Sequence, residues 1–161
     1  MASEGVGRFV RAHLYGAGVI GLFVVLPVFV LPRFDSYVTV TIPEFARYAG
    51  LLVLLAGAAL SYTSFWFFIT KGRGTAFPTE PPKEMVIRGP YRYVRNPMYV
   101  GNLAIIFGEA LLLASPVLVL YAILMCFVTH LYVTVSEEPV LTRRYGELYL
   151  QYVRTTPRWL P

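Results

Sequence analysis

Of the 161 residues, 57% are hydrophobic and only 14% are charged, whereas soluble domains carry about 25% charged residues. A mean hydropathy of +0.59 likewise indicates an integral membrane protein. The net charge of +5 is small and forms no visible basic face, which argues against nucleic acid as a partner. The single cysteine, Cys126, excludes an intramolecular disulfide, and with only two histidines no metal site is expected.

Four apolar stretches are long enough, or nearly so, for the ~20 residues of a membrane-spanning helix. They cover roughly residues 12–31, 46–70, 98–114 and 117–135. No period-2 alternation indicates strands. The sequence therefore predicts an all-α integral membrane protein with about four transmembrane helices.

The positions of lysine and arginine predict the orientation of these spans. The N-terminus, the second loop and the C-terminal tail hold 12 of the 14 Lys and Arg residues, and the first loop holds Arg33 and Arg47. Because cytoplasmic segments carry the excess of positive charge, we expect a multi-pass protein with both termini and the second loop in the cytoplasm.

The second loop opens with "KGRGTAFPTEPP", residues 71–82. Gly72 and Gly74 free the backbone for a sharp turn or a close approach to a ligand, and Arg73 and Thr75 offer hydrogen-bond donors. On chemistry alone the segment is interpreted either as a ligand-binding loop or as an ordinary loop at the membrane edge.

The third and fourth stretches meet at Ser115-Pro116, which predicts a tight antiparallel hairpin. The hairpin brings Arg95, at the start of the third stretch, to the depth of Glu137 and Glu138, at the end of the fourth. This group is interpreted either as an ion pair that sets the register of the hairpin or as a site for a zwitterion. In the second case a glutamate binds the amine and Arg95 binds the carboxylate.

Two ionisable residues lie within the hairpin itself. Glu109 is inside the third stretch, where such groups are costly and usually serve a purpose, although a protonated or hydrogen-bonded structural role is the alternative. His130 is expected level with Gly101 and Asn102, where it contacts a ligand or makes a structural hydrogen bond.

The tail after Pro139 predicts an amphipathic helix, because apolar and aromatic residues recur at three- and four-residue spacing: Leu141, Tyr145, Leu148, Tyr149 and Tyr152. It is expected to fold over the mouth of the hairpin or to lie on the lipid surface. We expect one domain over 1–161, in which 1–70 supply the first two spans and 71–161 the motifs, the hairpin and the C-terminal helix.

The blocks "GPYRYVRNPMYVG" and "EEPVLTRRYGELYLQYVRTTPRWLP" resemble the isoprenylcysteine carboxyl methyltransferase family of membrane enzymes, to which phospholipid N-methyltransferases are similar in outline. The resemblance covers roughly 71–161, with the blocks in the family's order. It implies methyl transfer from S-adenosylmethionine to a lipophilic small molecule or membrane lipid at the cytoplasmic face. It also implies that the cofactor lies at the mouth of the helices under the C-terminal helix, with no obligate protein partner.

The resemblance implies the following site residues. Arg95 and Glu138 are candidate catalytic residues. Tyr91, Tyr93, Tyr99 and Tyr145 are candidate walls for the adenine ring. The candidate cofactor-binding residues are Arg73, Gly74, Thr75, Tyr91, Arg95, Asn96, Tyr99, Asn102, His130, Glu137 and Glu138.

Two positions depart from the family pattern. Asn96 stands where the motif has histidine, so a hydrogen-bonding role survives and a general-base role does not. Val133 stands where prenylcysteine-specific members have an arginine, which argues against a prenylcysteine acceptor. Two alternatives remain, a membrane reductase of similar architecture with a nicotinamide cofactor, and a non-enzymatic membrane scaffold.

Overall fold

A computed structural model of the chain describes residue 18 and residues 21–37, 40–72 and 85–161. This part of the chain is helical and contains no strand, which confirms the all-α prediction for it. A π-helix and a 3-10 helix come first, Gly21–Val30 and Leu31–Tyr37. A short 3-10 turn, Gly89–Arg92, precedes the hairpin, and a π-helical turn, Val133–Glu137, follows it. The α-helices are α1 Glu44–Gly72, α2 Pro97–Leu113, α3 Pro116–Tyr132, α4 Glu138–Tyr145 and α5 Glu147–Thr155.

Two helical stretches among the described residues are long and apolar enough to cross a membrane. They are Glu44–Phe68, with 25 residues, and Pro116–Tyr145, with 30 residues, and they correspond to the second and fourth predicted spans. The third predicted span is α2, a shorter apolar helix. Residues 12–17, 19 and 20 of the first predicted span lie outside the described residues, and most of the remaining span is the π-helix Gly21–Val30. Large apolar side chains of α1 are exposed, for example Leu52 at 68% and Trp66 at 56%, as expected of a helix surrounded by lipid.

The helices α1 and α2 pack closely through glycines that recur at the same spacing in both. A Cβ atom on Gly57 would lie 2.7 Å from the carbonyl oxygen of Gly101, and one on Gly108 would lie 2.6 Å from the backbone nitrogen of Leu54. Small residues let membrane helices approach to backbone contact. The sequence analysis did not predict this glycine interface between the second and third stretches.

The hairpin between α2 and α3 turns where the sequence predicts it. Ala114 adopts the left-handed conformation at φ 51° and ends α2. The Ser115 hydroxyl then accepts a hydrogen bond of 3.1 Å from the Leu118 N–H, and Pro116 occupies the first turn of α3. An N-cap serine followed by proline is a favourable helix start, so the sharp turn has a local cause.

The segment before α1 packs against the turn and the start of α3. The Asp35 carboxylate accepts a hydrogen bond of 3.2 Å from the Val117 N–H, and the Tyr121 hydroxyl donates one of 2.9 Å to the Leu22 carbonyl. The buried core that these elements share consists of Phe23, Ile106, Ala122 and Met125.

The predicted C-terminal amphipathic helix is two helices in the structure. Gly146, at φ 54°, separates α4 from α5, and this conformation is unfavourable for any residue with a side chain. In α5 the rings of Tyr149 and Tyr152 are buried at 3% and 5% exposure, while Leu148 is exposed at 50%. The buried tyrosines turn α5 towards the mouth of the hairpin, the first of the two predicted arrangements.

Candidate functional site

The stretch before α2 is shaped by its glycine and prolines. Gly89 adopts φ 60°, and a Cβ there would lie 2.7 Å from the ring of Phe67 in α1. Pro90 is the second residue of the 3-10 turn Gly89–Arg92, and Pro97 begins α2. Arg95 and Asn96 are therefore held between two proline-containing turns, directly before the N-terminus of α2.

Arg95 precedes α2 and contacts a residue that follows α3, as the sequence predicts for the two ends of the hairpin. Its Nη1 donates a hydrogen bond of 2.8 Å to Glu138 Oε1. The Arg95 side chain is only 8% exposed and that of Glu138 only 18%. Charge-assisted hydrogen bonds of this length are among the stronger polar contacts in proteins. The predicted meeting of the two hairpin ends is confirmed by this contact of Arg95 with Glu138.

A second arginine, Arg158 from the C-terminus, binds the same glutamate. Its Nε donates to Glu138 Oε1 at 2.8 Å and its Nη2 donates to Glu138 Oε2 at 3.0 Å. The hydrogen bond with Glu138 raises the pKa of Arg158 above its usual range. Glu138 thus accepts three hydrogen bonds from two guanidinium groups, and its negative charge is compensated within the protein.

Glu137 has a different environment from its neighbour. Its Oε2 accepts a hydrogen bond of 3.1 Å from the Tyr99 hydroxyl of α2. The π-helical turn Val133–Glu137 lies directly before Glu138 and interrupts the regular α-helical spacing between α3 and α4. Such turns are frequent at functional sites because they change the direction of the following side chains.

One donor in this cluster has no acceptor. Among the described side chains, the buried polar atoms without a hydrogen-bond partner are Arg95 Nε and Glu109 Oε2. A buried charged donor without a partner is costly, so the orphaned Arg95 Nε favours a site for an anionic group. Glu138 and the Tyr149 phenol are side-chain partners of Arg95, and its Nε is the guanidinium nitrogen without an acceptor.

Buried tyrosines line the same region from α5. The Tyr152 hydroxyl donates a hydrogen bond of 2.5 Å to the Tyr91 carbonyl, and the rings of Tyr149 and Tyr152 lie 6.4 Å apart. Burial raises the pKa of Tyr149, with the negative charge of Glu138 adding to the effect and Arg95 opposing it. Burial likewise raises the pKa of Tyr152. Both phenols are therefore neutral at physiological pH.

The predicted aromatic walls differ in exposure. Tyr91 is buried, and burial raises the pKa of its phenol. Tyr93 is 65% exposed. The Tyr145 ring lies 5.7 Å from the Arg144 guanidinium carbon. Tyr99 and Tyr145 are half-buried, so of the four predicted walls Tyr91 has the buried environment that a wall of a binding site needs.

The last residues of the chain, 156–161, form an irregular segment that we name the C-terminal strap. The Pro157 carbonyl accepts a hydrogen bond of 2.8 Å from the Arg95 N–H. The Arg158 carbonyl accepts one of 3.2 Å from Asn96 Nδ2. Sequence reasoning missed these contacts, because an irregular segment has no hydrophobic periodicity from which its position can be predicted.

Two other predicted site residues make separate contacts. His130 Nδ1 accepts a hydrogen bond of 3.2 Å from Trp159 Nε1 of the strap, so His130 contacts the strap at the end of α3. Asn102 Oδ1 accepts one of 2.7 Å from the Ser61 hydroxyl and belongs to the interface of α1 with α2. The remaining predicted ligands, Arg73, Gly74 and Thr75, lie outside the described residues.

The family model for phospholipid methyltransferases matches residues 45–148, well over half of the chain. The matched range contains α2, α3 and α4, and with them Arg95, Asn96, Tyr99 and both glutamates. No curated protein and no solved structure matches the chain. The family match confirms the resemblance to membrane methyltransferases that the sequence motifs indicate. The chain belongs to the phospholipid methyltransferase family.

Proposed function

We propose that the protein is an S-adenosylmethionine-dependent methyltransferase acting on a lipophilic or amphipathic acceptor at the cytoplasmic face of a membrane. The observation that carries the proposal is the buried Arg95 guanidinium, whose Nε lacks an acceptor, beside Glu137 and Glu138. The cofactor carries an amine and a carboxylate on one carbon, and a cluster of one arginine and two glutamates suits both groups. Family membership supports the same cofactor.

The residues of the mouth fit the cofactor in the following way. Arg95 would bind the carboxylate, and the paired glutamates would supply the counter-charge for the amine. Asn96 and Tyr99 flank this cluster, and the buried Tyr91, Tyr149 and Tyr152 supply an apolar and aromatic wall. Arg73, Gly74 and Thr75 remain proposed contacts on the basis of the family resemblance, as do Asn102 and His130.

The cofactor, when bound, supplies an electrophilic methyl group on a sulfonium. The work left to the protein is orientation and the exclusion of water, which together account for much of the acceleration in such transfers. The Tyr99–Glu137 hydrogen bond holds one carboxylate in place, and the Arg95–Glu138 contact holds the arginine. Asn96 cannot act as a general base, so it is assigned a binding role.

The proposed topology has four spans with both termini in the cytoplasm. The charge distribution of the sequence supports it, with 12 of the 14 Lys and Arg residues in the segments assigned to that side.

The acceptor would enter from the lipid between helices and keep its apolar part in the bilayer. The exposed apolar surface of α1 is compatible with such lateral access.

Binding of S-adenosylhomocysteine to the detergent-purified protein tests the proposal. We expect binding by the wild type, and a loss of about tenfold or more for Arg95→Gln, because a hydrogen bond to a charged group contributes ~1.5–3 kcal/mol. The matched control is Arg154→Gln. The Arg154 side chain is 72% exposed, and its ion pair with Glu147 is long, at 3.8 Å.

Two other outcomes would refute the assignment. Binding of NADPH without binding of S-adenosylhomocysteine would identify a membrane reductase. Binding of neither compound, with a melting temperature lowered by Arg95→Gln, would identify a scaffold in which the arginine serves only stability.

A further inference from the structure

The C-terminal strap lies beyond the segment that the family model matches, which ends at residue 148. The strap nevertheless contacts two candidate ligand residues directly. The Arg95 N–H and the Asn96 side-chain amide each donate to a strap carbonyl, at 2.8 Å and 3.2 Å. The orientation of the motif "RNP" therefore depends on a segment outside the motif.

The side chain of Arg158 provides the main charged attachment of the strap. It binds both oxygens of Glu138, at 2.8 Å and 3.0 Å, in the fork geometry that guanidinium and carboxylate groups share. Its side chain is 31% exposed. The Trp159–His130 hydrogen bond of 3.2 Å provides a second attachment one residue further on.

The paired glutamates differ in the number of hydrogen bonds that they already accept within the protein, and therefore in their capacity to bind a ligand. Glu138 accepts three hydrogen bonds from two arginines, and Oε1 is shared between Arg95 and Arg158. Binding of an amine to Glu138 would have to displace one of these guanidinium groups. Glu137 accepts the neutral Tyr99 hydroxyl and no guanidinium among the described residues, so its charge is the less compensated of the two.

We propose that Arg158 is a positioning residue, and that the two glutamates have separate roles. Glu138 ties the strap to Arg95, and Glu137 receives the amine of the cofactor. The strap carbonyls then hold the Arg95 backbone and the Asn96 amide in the orientation needed for binding. This inference rests on the proposed function, because it assigns roles within the same cofactor site.

Removal of the Arg158 guanidinium should act through these neighbours. Glu138 would keep Arg95 alone, and the strap would lose its charged attachment. Arg95 and Asn96 would then lose their fixed acceptors, and part of the binding energy would be spent on restoring their orientation. We therefore expect weaker cofactor binding with turnover at saturation changed much less.

The binding test uses S-adenosylhomocysteine with Arg158→Gln, Arg158→Lys and the exposed control Arg154→Gln. We expect about tenfold weaker binding for Arg158→Gln, and an intermediate loss for Arg158→Lys, because an ammonium group cannot reproduce the two-pronged contact. Arg154→Gln should bind like the wild type. Tighter binding by Arg158→Gln would overturn the proposal, since it would mean that Arg158 competes with the amine for Glu138.

A double-mutant cycle tests whether Arg158 acts on cofactor binding through Glu138 and independently of Glu137. Both Arg158→Gln and Glu138→Gln remove the Arg158–Glu138 contact, and Glu138→Gln also removes the Arg95–Glu138 contact, so the double variant should bind about as well as Glu138→Gln alone. Glu137→Gln and Arg158→Gln should instead weaken S-adenosylhomocysteine binding additively, so that the double variant shows the sum of the two losses in binding free energy. Additive losses for the 138/158 pair, or a Glu137→Gln variant that binds like the wild type, would contradict the separation of roles.

A labelling experiment tests the strap without reference to the cofactor. Thr156 is buried at 5% exposure, so Thr156→Cys in a Cys126→Ser background should react slowly with a maleimide. Adding Arg158→Gln should increase the rate at least severalfold. An unchanged rate would show that Arg158 does not hold the strap, even if the wild type bound no S-adenosylhomocysteine and the proposed function itself had failed.

Discussion

Asn96 makes a hydrogen bond that should stabilise the fold, in addition to its proposed role in cofactor binding. Its Nδ2 donates to the Arg158 carbonyl at 3.2 Å, and the residue is 9% exposed. We expect Asn96→Ala to lower the free energy of unfolding by about 1 kcal/mol, the usual contribution of one hydrogen bond, and to weaken S-adenosylhomocysteine binding as well. Thermal melting and ligand titration of the same preparation would measure both effects.

Asn96→His provides the matched comparison, because histidine is the residue of the family motif at this place. It retains a ring N–H donor, so we expect melting and binding near those of the wild type. Full binding by Asn96→Ala would exclude this position from the cofactor site, and full stability would contradict the contact with the strap.

At the scale of elements, the α1–α2 interface depends on glycine. A Cβ on Gly101 would lie 2.6 Å from the Ser61 nitrogen and 2.7 Å from the Gly57 carbonyl oxygen, so even alanine cannot fit without moving the helices apart. We expect Gly101→Ala to destabilise the protein by ~1–3 kcal/mol, the range for overpacking. Gly21→Ala is the control, since no atom lies within 4 Å of its added Cβ.

Thermal melting in detergent would compare these two glycine variants. Equal melting temperatures for Gly101→Ala and the wild type would mean that the two helices are not in backbone contact. The comparison tests helix packing, because both substitutions add the same methyl group to a helical backbone and only the one at Gly101 meets atoms of a neighbouring helix.

At the scale of the whole molecule, the site is useful only if its mouth faces the compartment that contains the cofactor. Reporter fusions after residue 80 and at the C-terminus should both be cytoplasmic, and a fusion near Asp35 should lie on the opposite side. A C-terminal reporter on the same side as the Asp35 fusion would refute the topology. The proposed access of cytoplasmic cofactor to Arg95 would then fail with it.

Much of the element order follows from local features of the sequence. Ser115 and Pro116 predict the hairpin because an N-cap and a fixed φ act within one turn. The hairpin alone then predicts the contact of Arg95 with the paired glutamates. The division of the tail at Gly146 was not predicted, because the apolar periodicity continues across a residue whose positive φ no pattern reveals.

Composition and the long apolar stretches by themselves predicted the all-α membrane class, and the ordered motifs indicated the family. Composition is a sum over many residues, and a motif depends on neighbours in the chain, so both can be recognised in a single sequence. Only the tertiary structure decided that Arg158 shares Glu138 with Arg95 and that strap carbonyls hold Arg95 and Asn96. Those contacts join irregular or distant segments, where no periodicity relates the two partners and only the folded chain brings them together.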